Sequence, residues 1–208
     1  MKPAESTNHK RKLIYIPIVH TQADMGALGE SIRRAHLRKI GKTALKHKVD
    51  AVDRIWNDIE KAIQRLDFSQ GRVRLYQDGL PVCGKEEKIV KDLADSGSRN
   101  HTLLLRLMEK GALIMGTESP ELLMEEYKRF KKILASEDVA QIARMEAEQK
   151  ALSRSLLKSR DQFIAARIND TLRPDETGIL FLGMLHALGA LLDEDIRVVY
   201  PLHKPAPI

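Results

Sequence analysis

Four polar residues stand where apolar, strand-like segments give way to loops. They are His20 after LIYIPIV (13–19), Asp78 after RVRLYQ (72–77), Glu118 at the end of ALIMGTE (112–118), and His186 just past GILFLG (178–183). Two imidazoles and a carboxylate, His20, Glu118 and His186, make a donor set that can hold a divalent metal and leave positions open for water. Such an ion acidifies its bound water and polarises a carbonyl or phosphoryl oxygen. The three residues are far apart in the chain, so no compact spacing such as HExxH supports the set. Taken singly, each histidine reads more plainly as a hydrogen-bonded structural residue than as a catalytic one. Asp78 precedes Gly79, and Asp-Gly is a common turn pair, so turn formation is its plainer reading and substrate contact the sharper one.

A second pair lies in SRDQFIAARINDTL. Leu157, Ile164, Ile168 and Leu172 form an apolar stripe at helical spacing, and Asp161 falls on that stripe four residues after Leu157. A buried carboxylate without a partner is costly. Asp161 therefore either meets a partner inside the protein or sits at the stripe's edge, reaching water or capping a nearby loop. Arg160 is turned about 100° around the same helix, so it borders the crevice without facing Asp161.

The elements that must position these residues can be read from periodicity. Strands are expected at 13–19, 72–77, 112–118, 178–183 and 196–201, the fourth apolar on both faces like a central strand covered on both sides. A helix over 43–66 places Val49, Val52, Trp56, Ile59, Ile63 and Leu66 on one face. Ser119 followed by Pro120 and early acids signals another helix start. Asn100 reads as the cap of a helix ahead of Leu103 and Leu104. A long helix runs from near Ser136 to Leu172. Strands separated by helices predict an α/β fold with a mainly parallel or mixed central sheet of about five strands, covered by helices and carrying long helical excursions. The expected layout is one domain over 13–201, with a helical excursion at 24–66 and tails at 1–12 and 202–208. In such sheets the binding crevice lies beyond the carboxyl ends of the strands, where the four polar residues stand.

Composition narrows the function classes. The 208 residues are 43% hydrophobic, enough for a single domain with a sizeable core. The longest apolar runs are too short to span a bilayer. The basic N-terminus before LIYIPIV contains Pro17 and lacks a small-residue cleavage site, so it is not read as a signal peptide. A cytoplasmic protein with no membrane partner is expected. The net charge of +6 comes with only 4% aromatic residues, few stacking platforms for nucleic acid, and the basic residues alternate with acids as on solvated helix faces. Nucleic acid is therefore not expected as a partner. Cys83, the one cysteine, excludes an internal disulfide and a cysteine zinc cluster, and beside a glycine it reads as a packing residue. His9, His36, His47 and His203 lie in polar or terminal stretches and are assigned no role.

RDQFIAARINDTL followed by GILFLGMLH resembles the closing signature of the TraB/TIKI and ChaN/erythromycin-esterase-like superfamily. That signature has an Arg-Asp or Arg-Asn pair on a helix, small residues after it, and a buried strand ending in Gly-x-x-His. Here the pair is Arg160-Asp161, the small residues are Ala165 and Ala166, and Gly183-Met184-Leu185-His186 is the Gly-x-x-His. His20 in IPIVH and Glu118 in MGTES stand where the family has its other crevice residues. Pro17 replaces the glycine usual three residues before the first histidine.

The resemblance implies an α/β protein with a hydrolase-like site acting on a small-molecule or peptide substrate, at an ester or amide bond, since no Gly-rich phosphate loop is present. In it His20, Glu118 and His186 would hold a divalent metal or position a water. Arg160 would stabilise an oxyanion or bind a substrate carboxylate, and Asp161 would orient a histidine. Two alternatives stay open. One is a non-catalytic protein holding haem or another planar ligand through a histidine, and the other is a homo-oligomer formed through the long helices, which is compatible with either role.

Overall fold

The computed structural model describes residues 11–66, 72–134 and 139–202. Most of the two expected tails, with His9 and His203, lies outside these residues. Five strands form one sheet: β1 (Arg11–Ile18), β2 (Val73–Gln77), β3 (Leu113–Met115), β4 (Thr177–Gly183) and β5 (Ile196–Val199). Their spatial order is β3-β2-β4-β1-β5, and every pairing is parallel. The fold is α/β. β1 begins inside the stretch read as a tail, because the Arg11 side chain is buried and held by Asp193, Asp195 and the Asn169 carbonyl.

β4 is the central strand, and TGILFLG shows why. Ile179 and Phe181 face one side of the sheet, Leu180 and Leu182 the other, and all four are fully buried. Parallel strands covered on both faces need such continuous apolar runs. On one face, β-strand residues Ile14, Ile16, Leu75 and Phe181 pack against Trp56, Ile59 and Ile63 of α1 (Gly29–Gln64) and Leu103, Leu104 and Leu107 of α3 (Arg99–Glu109). α2 (Glu86–Asp95) adds Val90 to this layer. On the other face, Leu13, Tyr15, Tyr76 and Leu180 pack against Ile164, Ala165 and Ile168 of α5 (Val139–Thr171) and against Leu172 just after it. α4 (Pro120–Leu134) packs beside α5. Among the described residues no helix is long and apolar enough to cross a membrane.

Three details depart from the pattern-based expectation. Val49 is 51% exposed, so the buried stripe of α1 begins at Val52 and Trp56. That helix is broken at Gly41, whose φ of 77° only glycine adopts without strain. Asn100 is not the cap of α3: Ser98 is, accepting the His101 N–H at 3.2 Å. Cys83 is exposed rather than packed. Ser119 does cap α4, its hydroxyl accepting the Leu122 N–H at 3.3 Å.

Trp56 ties α1 to the end of β1, its fully buried indole N–H reaching the Val19 carbonyl at 3.1 Å. Trp56→Ala should therefore cost about 3–5 kcal/mol in urea unfolding, whereas Val49→Ser should stay within about 0.5 kcal/mol. Equal costs for the two would contradict the assignment of the buried face.

Candidate functional site: a buried arginine–carboxylate–histidine cluster

Strand order decides which ends meet. β2, β4 and β1 are adjacent, so Asp78, Gly183 and the segment leading to His20 leave the sheet side by side. Beyond β3 the chain runs parallel to the segment after β2, with Pro81 bridged to Glu118 and the Val82 N–H on the Glu118 carbonyl at 2.9 Å. This carries the Glu118 carboxylate under the Asp78-Gly79 turn, where its Oε1 accepts the Gly79 N–H at 3.1 Å. α5 lies across this corner and supplies Arg160 and Asp161 from consecutive positions.

Arg160 is the centre of the cluster, with a side chain 7% exposed. Its Nε donates to Glu118 Oε2 at 2.9 Å, and its Nη2 donates to Glu118 Oε1 at 2.5 Å and to Asp78 Oδ1 at 2.8 Å. Its Nη1 donates to both oxygens of Glu126 on α4 at 2.9 Å. All three nitrogens of the guanidinium are thus engaged by carboxylates. The family resemblance implies a substrate contact for Arg160, and in this structure each of its nitrogens faces a carboxylate of the protein itself. Arg160 holds the carboxylates together.

The two histidines occupy unlike positions. His186 is buried, and its Nδ1 lies 2.5 Å from Asp161 Oδ1. Asp161 Oδ2 also accepts the Ala187 N–H at 3.1 Å, so this carboxylate fixes both the ring and the turn that carries it. The arrangement turns His186 Nε2 toward Asp78, 3.7 Å from Oδ2. His20 is 36% exposed and places its Nε2 3.0 Å from the same Asp78 oxygen. That oxygen also accepts the Gly183 N–H at 2.9 Å. Gly183 has to be small here, since a Cβ would lie 2.9 Å from Asp78 Oδ2 and 3.9 Å from His20 Nε2.

Burial and charge act against each other on these groups. Burial alone would raise Asp78, yet His20, His186 and Arg160 hold its carboxyl well below the usual range. Burial pushes Glu118 up, and the neighbouring Asp78 charge adds to this against the pull of Arg160. Burial would lower His20, but the bond to Asp78 and its charge outweigh this and raise it. A raised histidine stabilises the fold fully below its unfolded value of about 6.5, and that contribution is lost as pH rises through the higher folded value.

Ligand atoms of Asp78, Glu118 and His186 lie within 4.8 Å of one another, whereas His20, part of the expected metal set, is not in this group. These residues do not fit a resident ion as they stand. Both oxygens of Glu118 and one of Asp78 already accept from Arg160, and the other Asp78 oxygen contacts Gly183 and His20. An ion at bonding distances near 2 Å from the same atoms would lie against a fixed positive charge. The cation of this site is the guanidinium.

Among the described residues, sequence reasoning missed Glu126, which sits in a charged run and reads as a solvated helix face. It also placed Asp78 at the fringe, because a turn signal is silent about where the side chain points.

Two outcomes test the assignment of Arg160. Arg160→Met leaves buried carboxylates uncompensated and should cost about 3–5 kcal/mol in urea unfolding, with Arg160→Lys recovering only part because an ammonium lacks the fork. Protein purified without an affinity tag should carry no stoichiometric divalent metal and keep its melting temperature in EDTA. A stoichiometric ion lost on His186→Ala would refute the assignment.

Comparison of this chain with protein-family models, with curated proteins and with solved structures returns no match.

Proposed function

We propose that this chain hydrolyses an ester or amide bond, the bond class implied by its resemblance to the erythromycin-esterase-like superfamily, and does so by general acid–base chemistry at His20. The observation that carries the reading is the His20–Asp78 pair: an imidazole 36% exposed, bound through Nε2 to a carboxylate 4% exposed. A buried carboxylate on one ring nitrogen raises the basicity of the other and stabilises the imidazolium that forms, the logic by which an aspartate supports a catalytic histidine.

With Nε2 engaged by Asp78, Nδ1 of His20 is the nitrogen that takes a proton from water. The water oxygen bonds to the substrate carbonyl carbon. The bond to the leaving alkoxide or amine then breaks, and His20 returns the proton to that group. Arg160 and the Asp161–His186 pair act behind this step, keeping Asp78 ionised and aimed at His20. No metal is needed for any of these steps. A bound haem has less support, because the exposed imidazole already commits its Nε2 to Asp78.

Activity should be sought with nitrophenyl esters of short and long acyl chains and with fluorogenic peptides. His20→Ala should lower kcat/KM by about 100-fold or more while leaving the melting temperature within a few degrees. The neutral imidazole is the base and its pKa is raised, so the rate should climb with pH above 6.5. By NMR the His20 ring should titrate above 6.5 in the wild type and lower in Asp78→Asn. Full activity in His20→Ala, or a His20 midpoint indifferent to Asp78, would sink the proposal.

A further inference from the structure

Four residues after His20, the Asp24 carboxylate is buried in a network of its own. Its Oδ2 accepts the Thr21 N–H at 2.5 Å and the Thr21 hydroxyl at 2.8 Å. Its Oδ1 accepts the Ser98 hydroxyl, and Ser98 Oγ lies 2.7 Å from His101 Nδ1. The side chains of Asp24 and His101 are 2% and 5% exposed, and Ser98 is fully buried. Ser98 has one hydroxyl proton and gives it to Asp24, so His101 Nδ1 must be the donor to Ser98 Oγ. The bonds then run one way, from His101 through Ser98 to Asp24, and Asp24 ends them on the backbone beside His20.

The trio has the composition of an acyl-transfer triad but not its arrangement. The serine proton points to the carboxylate rather than to the imidazole, and no substrate reaches a fully buried hydroxyl. Burying a carboxylate, an imidazole and a hydroxyl is costly unless all are bonded. Here the bonds join two chain segments. Ser98 caps α3, and Asp24, in the first turn of the 3-10 segment Ala23–Leu28 that follows β1, reaches back to the Thr21 N–H and hydroxyl. Burial opposes ionisation of Asp24, but the donors His101, Ser98 and Thr21 hold its carboxyl below the ordinary range.

We propose that Asp24, Ser98 and His101 are positioning residues for His20, fixing the Thr21 backbone to the start of α3 so that the His20 ring meets Asp78 in one orientation. The inference rests on the acid–base reading of His20. Ser98→Ala breaks the link without adding volume or charge. It should lower kcat by about tenfold or more with little change in KM, as expected of a misplaced base. It should also shift or broaden the His20 ring resonances in NMR spectra of the full chain. Thr102→Val is the control, since Thr102 bonds the Ser98 carbonyl in the same helical turn but does not contact Asp24. It should move neither readout. If Ser98→Ala is too unstable to study, Asp24→Asn is judged by the same two measurements. Unchanged His20 resonances in the Ser98 or Asp24 variant would overturn the positioning role. The resonances report whether or not a hydrolysed substrate is found, so this failure is distinct from failure of the hydrolase reading.

Discussion

A single guanidinium, buried among three carboxylates from three parts of the chain, is the constraint on which the rest of the site depends. Asp78 and Glu118 are withdrawn from water and lie close together, where like charges at low effective dielectric repel strongly. Arg160 makes that arrangement tenable by donating to both, and Glu126 engages its remaining nitrogen. Such networks seldom stabilise a fold more than apolar packing would. Their effect here is geometric: β2, the segment after β3, α4 and α5 are locked into one register around one planar group.

That lock separates the roles of the two histidines. His186 is enclosed, bonded to Asp161, and turned toward Asp78 as part of the wall behind it. His20 meets Asp78 from the solvent side. Asp78 therefore joins an interior it cannot leave to an imidazole that water can reach. Gly183, at the end of the central strand, leaves the space this meeting requires. On the far side of His20, the Asp24 network holds the loop that carries it.

Much of this was legible in the sequence, in uneven measure. All five strands were legible in outline, RVRLYQ from its alternation and GILFLG from being apolar on both faces, which also placed GILFLG at the centre of the sheet. The stripe through Ile164 and Ile168 put Asp161 on the apolar side of α5 and Arg160 at its border. Partner choice was not legible. His20, Arg160 and Gly183 reach Asp78 across 58, 82 and 105 residues, and those contacts depend on β2, β4 and β1 being neighbours, which no local pattern encodes. Asp78-Gly79 does form a turn, so the turn reading was true of the backbone and silent on the side chain. At Asn100 the capping preference misled because Ser98, two residues earlier, has its hydroxyl bonded to Asp24 and so fixes the start of α3.

The central claim is that Arg160 exists to neutralise buried carboxylate charge, and a double-mutant cycle addresses it most directly. Arg160→Met, Glu118→Gln and the pair are compared with the wild type by urea unfolding at neutral pH. If charge compensation is the reason for the contact, removing the carboxylate relieves the loss of the arginine. The double variant should then be more stable than Arg160→Met alone, with a coupling of about 1–3 kcal/mol. Strictly additive losses would contradict the account, because they would mean that Arg160 and Glu118 contribute to the fold independently of each other's charge.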